Sequence, residues 1–347
     1  MNKKYIKWMI RFIIITFLIL LWASSMYDCR ILKEQYNKAV SVRIQGEGIS
    51  EKSLRTALKN EVLKKSQLLE LTMWNQVNKV EVMSKDLMNK ASAKLYEVSG
   101  DSSQVCPMEF IAGARVIDGD YKGCVIDEET AYSLFGTKYA VGNTIVVQNR
   151  TYYVRGVIKA SIEMLIIQIE DEQNKYNNLE FICNDIEKGN ELINYFFVQN
   201  GLEAKYIIIE SAFYTKIAEI ISIIPVCIVG IVLLMKSIVE LKKQRKSSLI
   251  VLMYIFAEIF IFIAILWMLG LKPYWPERLI PSKWSDFNFW VNKYNDIKDF
   301  IKATTYIMPV PKDVILLQGL KKVIIRSVII VFLSDFLRRE SAHACRT

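Results

Sequence analysis

Three long apolar runs, each bordered by basic residues, constrain this chain before any other feature. The first runs from Trp8 to Met26, "WMIRFIIITFLILLWASSM". Only Arg11 interrupts it, close enough to the end for its side chain to reach the interface. Ile217 to Met235 and Leu249 to Leu271 are the other two. Each approaches the roughly 20 apolar residues that a helix needs to cross a membrane. Lys3, Lys4 and Lys7 precede the first run, and "KSIVELKKQRKSS" joins the second to the third. Positive charge stays on the cytoplasmic side. The expected layout is therefore residues 1–7 inside, a span at 8–26 and a module at 27–215 outside. A span at 217–235, a basic inner loop at 236–248, a span at 249–271 and an outer loop at 272–320 follow. A cleaved signal peptide competes for the first run, but its apolar stretch is long and no A-x-A site follows, so an uncleaved anchor is expected.

A fourth span, 321–337, is weaker. "VIIRSVIIVFLSDFL" carries Arg326 and Asp335, and Lys321 and Lys322 lie at its outer end, against the charge rule. Arg338 and Arg339 at the inner end fit that rule, with 338–347 as a cytoplasmic tail. An interfacial amphipathic helix is the competing reading.

Composition agrees with a membrane protein: 52% of the 347 residues are hydrophobic, and mean hydropathy is +0.21. The net charge of +9 would fit nucleic acid, but the basic residues cluster beside apolar runs, so no nucleic-acid partner is expected. The six cysteines, Cys29, Cys106, Cys124, Cys183, Cys227 and Cys345, include no CxxC pair, which removes the zinc-knuckle and thioredoxin patterns. A Cys106–Cys124 disulfide is one open pairing among several. Cys29 does not follow the small residues of a lipobox. The single histidine, His343, lies near the end of the chain, so neither a histidine-based mechanism nor a His-rich metal site is expected. No catalytic, cofactor-binding or metal-ligating residue is assigned.

The external module reads as an α+β domain in two subdomains: a βαβ-type lobe with a small α+β lobe inserted at about 101–160. The segment 49–76 is read as one helix, with Leu54, Leu58, Val62 and Leu63 at helical spacing and Ser50 as its N-cap. "NKVEVMS" and "SAKLYEVSG" alternate as strands. Later come a strand in "NNLEFICND", a helix in "IEKGNELINYFFVQNG" and a strand in "LEAKYIIIE". Within the insert Val125 and Ile126 make a strand, and Asp127 caps a helix with Glu128 and Glu129 in its first turn. Gly136 is placed to end that helix left-handed, Gly142 to permit a turn, and two strands follow through Ile158. These choices explain every residue structurally, as caps and turns of a small domain.

Those same residues carry a resemblance. Val125, Ile126, Glu128, Ala131, Leu134, Phe135, Gly136, Gly142, Ile145, Val154, Gly156 and Val157 match, in order, the pattern V-I-x-E-x-x-A-x-x-L-F-G, a glycine, a short apolar strand and V-x-G-V. The stretch resembles the extracytoplasmic core domain of MacB-type ABC transporter permeases, a group that includes FtsX-like and lipoprotein-releasing permeases. The motif covers residues 123–158, and the layout of helices covers most of the chain. The resemblance implies a bundle of four (or three) transmembrane helices in a bacterial cell membrane, with the N-terminus inside and the large domain outside. It implies dimerisation with a second copy or homologue and a cytoplasmic ATPase partner. It also implies mechanical transmission to an amphipathic substrate or an external protein. The chain has no G-x-x-x-x-G-K-[ST], so ATP is expected to act through the partner subunit and the chain itself is not expected to be an enzyme.

One departure bears on coupling. Where the family carries E-I-G-x-R-x-A-x-G-A between its second and third helices, this chain has "ELKKQRKSSL". Lys242, Lys243, Arg245 and Lys246 are the candidates for contact with an ATPase; topology-fixing charges beside anionic membrane lipid are the competing reading. Intramembrane polar candidates are Glu219, Glu258 and Arg326. Either Glu258 pairs with Arg326, or it packs between helices in protonated form. The loop bearing Trp275, Trp284, Phe287, Phe289 and Trp290 reads as an interfacial belt or a docking surface. "NRT" at 149–151 is a formal sequon that chance explains. A non-transporting receptor or scaffold using the same external domain is the alternative function.

Overall fold

A computed structural model describes residues 3–36, 39–63, 68–160, 163–183, 188–243, 286–306 and 310–344, with isolated positions between 253 and 283. The chain divides into two units: residues 35–212, and residues 1–34 with 213–347.

The first unit is built on one sheet. Its framework is a β-α-β-β-α-β arrangement. β1 (Ala39–Gln45) leads through a short β2 (Ile49–Ser50) to α2 (Glu51–Leu63), then to β3 (Leu68–Ser84). After an insertion come β11 (Asn178–Cys183), α4 (Gly189–Gln199) and β12 (Lys205–Ile209). The strands lie in the order β12-β1-β11-β3, all antiparallel. Val40, Val42, Leu71, Met73, Leu179 and Phe181 share one face and form a buried core with Leu54 and Ala57 of α2 and Ile193, Phe196 and Phe197 of α4.

Between β3 and β11 the chain makes a second core. β4 (Lys90–Ser99), β5 (Glu109–Gly113), β6 (Gly123–Asp127), β7 (Thr144–Val147), β8 (Arg150–Lys159) and β9 (Met164–Gln168) are added to the sheet, while β10 (Lys175–Tyr176) pairs with β2. Starting from β3, the ladder passes through β4, β9, β6, β8 and β7 and returns to β3. This closes the strands into a small barrel. Alternate residues fill it: Val80, Val82, Leu95, Cys124, Ile126, Ile145, Val147, Val154, Leu165 and Ile167, with Ala131 and Leu134 of α3 (Glu128–Phe135). The barrel core therefore takes strands from 80–95 and 164–168 as well as from the segment 101–160.

The 17-residue β3 belongs to both cores. Its register with β4 shifts between Val77 and Val80, where Lys79 sits at φ 48°. This bulge re-aims the side chains as the strand passes from one core to the other. The sequence-based helix over 49–76 thus ends at Leu63, and 68–76 is strand. Leu71 and Met73 alternate with Thr72 and Trp74, and pairing with β11 outweighs local helical preference.

In the second unit, α1 (Lys3–Tyr36, whose last two residues belong to the other unit), α5 (Ser211–Lys243, whose first two do) and α7 (Pro311–Ala344) are the long helices. At 34 residues, α1 is about 50 Å long, well beyond a hydrocarbon core of about 30 Å. By length and apolarity, Phe12–Tyr36 and Ser211–Ile231 qualify as membrane spans among the described residues. A further helix, α6 (Asn288–Tyr306), occupies part of the stretch read as an outer loop, and α7 begins ten residues before position 321. The third predicted span, 249–271, lies mostly outside the described residues.

Candidate functional site

The matched stretch is organised around one carboxylate. Asp127 ends β6, is fully buried and caps α3: its Oδ2 accepts from the backbone N–H of Glu129 (2.8 Å) and Thr130 (3.0 Å). Its Oδ1 accepts from Thr130 Oγ1 (2.5 Å) and from the backbone N–H of Met164 (2.7 Å), the first residue of β9. One side chain therefore starts the helix and ties it to a neighbouring strand. Gly136 closes α3 at φ 70°, donating its N–H to the Tyr132 carbonyl. Gly142 also has a positive φ, 90°. Gly156 has a different reason: a Cβ there would stand 2.4 Å from the Ala114 carbonyl oxygen and 2.8 Å from the Phe110 ring. Glu128 begins α3, Ala131 and Leu134 are buried in the barrel, and Phe135 packs partly against it.

Cys124 faces the barrel interior, whereas Cys106 donates its thiol to Met164 Sδ at 3.7 Å. The two are not joined to each other: Cys124 lies inside the barrel and Cys106 outside that core, so the Cys106–Cys124 disulfide does not form. Burial pushes the Cys124 thiol far up from its ordinary pKa.

The opposite face of the framework sheet carries a buried ion pair. Arg43 of β1 donates to Glu180 of β11 at 2.8 Å, and neither side chain is more than 1% exposed. Ser41 Oγ (2.5 Å) and Trp74 Nε1 (3.3 Å) also donate to this carboxylate, and the guanidinium lies 5.3 Å from the Trp74 ring centroid. A second polar cluster fixes the start of α2. Glu51 accepts from Arg55 (2.6 Å), Ser99 (2.7 Å) and Tyr176 (3.3 Å), and Ser50 accepts from the Ser53 N–H at 3.4 Å.

In the helical unit, polar contacts join the three long helices. Lys33 of α1 pairs with Glu219 of α5 at 2.7 Å. Trp22 Nε1 donates to the Ser222 carbonyl at 3.1 Å, and Ser327 Oγ donates to the Ile221 carbonyl at 3.1 Å. Arg326 of α7 pairs with Asp28 of α1 at 2.5 Å and donates to the Ser24 carbonyl at 3.1 Å. Arg326 is therefore held by α1; Glu258, its partner in one of the two readings, lies outside the described residues. Leu316, Leu320, Val323, Ser327 and Ile330 make the buried seam of α7, alternating steps of four and three. Ile324, Ile325, Val328, Ile329 and Phe332 are exposed around the rest of it.

Of the proposed ATPase contacts, Lys242 and Lys243 fall on the last turn of α5, while Arg245 and Lys246 lie outside the described residues. Among the aromatic residues, Phe287 and Trp290 are exposed, Phe289 is half-buried, and Trp275 and Trp284 are not described. Among the described residues, no three His, Cys, Asp or Glu side chains are grouped as metal ligands. Sequence reading missed Asp28, Lys33 and the Arg43–Glu180 pair. The signal for the first two was a charged stretch directly after an apolar run.

No family model matches the chain, and no curated protein matches it. Among solved structures it is similar to the periplasmic region of MacB from Actinobacillus actinomycetemcomitans, at 13% identity and a TM-score of 0.43 over 54% of this chain and 95% of that one. The extracellular domain of the ABC-type transporter YknZ from Gram-positive bacteria aligns at 11% identity and a TM-score of 0.40, over 49% and 99% of the two chains. A permease-protein domain from Porphyromonas gingivalis aligns at 14% identity and 0.39, over 51% and 91%. Each likeness spans about half of this chain.

Proposed function

We propose that the chain is a permease subunit of the MacB/FtsX-like type. In this reading it carries conformational work from a separate cytoplasmic ATPase to its external domain. That work exports or extracts an amphipathic molecule, or controls an external protein. The observation that carries the reading is the junction of strands and helices. β1 and β12 are paired neighbours, from Ser41↔Ile209 to Gln45↔Lys205. β1 starts three positions after α1 ends, and α5 starts two positions after β12 ends. Ser211 Oγ, at the head of α5, donates to the Ala39 carbonyl at the head of β1 (3.1 Å). Displacement of either helix therefore acts directly on adjacent strands of one sheet, and β3 continues that sheet into the barrel. The twelve-position match in the barrel segment supports the same reading.

In this proposal the chain lies in a bacterial cell membrane with its N-terminus inside, pairs with a second permease and binds no ATP itself. Purification of the full chain from native membranes in mild detergent tests it. An ABC ATPase should co-purify and should be lost when Lys242, Lys243, Arg245 and Lys246 are all replaced by alanine. An external protein retained without any ATPase would favour a scaffold instead. The inner segment "ELKKQRKSSL", lacking the family's small-residue motif, is the observation on that side.

A further inference from the structure

α7 is the long helix whose own apolarity does not carry it across a membrane: among the described residues, only segments of α1 and α5 meet that criterion. It also brings Lys321, Lys322 and Arg326 to the side that the proposed topology makes external. Yet its seam is buried, Gly319 lies against Leu32 of α1 and Ser327 is bonded to α5. Arg326 is a charge within this apposition, and it meets two acceptors on α1: the Asp28 carboxylate and the Ser24 carbonyl. Asp28 stands two positions beyond the apolar run that ends at Met26. A lone guanidinium at that depth favours sliding outward into water, which would draw 327–337 out of the lipid. Paired and hydrogen-bonded, it can remain at the edge of the apolar layer.

We propose that α1 acts as an insertion template for α7. Asp28 neutralises Arg326, and this pair decides whether α7 crosses the membrane and at what depth. The inference rests on the topology given under Proposed function. The test uses Cys345, which follows α7 in the sequence, as a natural reporter. Spheroplasts expressing the full chain are treated with a membrane-impermeant maleimide, with Cys345→Ser as the background control. The native protein should react at Cys345 only after lysis. Asp28→Ala should expose Cys345 in intact spheroplasts, raising labelling several-fold over background. Asp28→Ala combined with Arg326→Leu should restore protection, because the charge needing a partner is gone. The exchange Asp28→Arg with Arg326→Asp should restore it too. If native Cys345 is protected and Asp28→Ala leaves it so, the pairing role is overturned while the topology stands. Continued labelling of Asp28→Ala/Arg326→Leu also overturns it. Labelling of the native protein in intact spheroplasts overturns the topology and the template together.

Discussion

Arg43 and Glu180 meet at 2.8 Å between two central strands of the framework sheet, both side chains almost wholly out of solvent. Their charges are compensated by each other, by Ser41 and by the Trp74 indole. Removing one member takes the opposite charge away from the other inside the sheet, at a cost of about 3–5 kcal/mol. Glu180→Ala should therefore lower the melting temperature of the unit formed by residues 35–212 sharply. Arg43→Met with Glu180→Leu should recover most of the loss, because the desolvation penalty of both charges is removed. Thermal denaturation of the full chain, followed by tryptophan fluorescence, checks both.

Asp127 makes four hydrogen bonds from a fully buried position. Replacing a capping side chain by alanine costs about 0.5–2 kcal/mol. Asp127→Ala should fall at or above the upper end of that range, since the Met164 N–H is also orphaned. Asp127→Asn keeps acceptor capacity and should lose less. Urea denaturation of the two variants beside the native chain gives the comparison.

Gly136 and Gly156 belong to the same matched pattern but serve different needs. A Cβ at Gly136 meets open space and only the positive φ opposes it, so Gly136→Ala should cost about 1 kcal/mol. At Gly156 the Cβ would collide with a backbone carbonyl, so β5 must move away from β8; overpacking of this kind costs about 1–3 kcal/mol. Gly156→Ala should be the more destabilising, and equal losses in denaturation would contradict this geometry.

The Glu97 carboxyl on β4 has a raised pKa, chiefly because burial disfavours its charged form, with Arg150 partly opposing. A carboxyl whose folded pKa exceeds its unfolded value binds its proton more tightly in the native state. Its contribution favours folding at pH values below the unfolded pKa of about 4.3 and is lost as pH rises through the folded pKa. Glu97→Gln should therefore raise the melting temperature near pH 7 and give no gain near pH 4. A pH series of melting curves reads this sign directly.

The parts of the fold fixed by neighbours a few positions away were legible. Asp127 before Glu128 and Glu129, and Gly136 after Phe135, mark the ends of α3 because capping uses backbone groups within one turn. The apolar runs that contain much of α1 and α5 follow from length and hydropathy alone. Segment 68–76 was misread because its strand form depends on β11, about a hundred positions later.

The sequence by itself therefore determined where apolar helices flank an α+β module, and the local caps and turns within that module. Those signals are short-ranged, or are summed over one segment. Tertiary structure decided the closure of the barrel through Val82 and Val147, the burial of Arg43 against Glu180 and the choice of Asp28 as the partner of Arg326. Each of these joins groups that are remote in the chain. Burial and charge compensation select them only once the strands and helices are side by side.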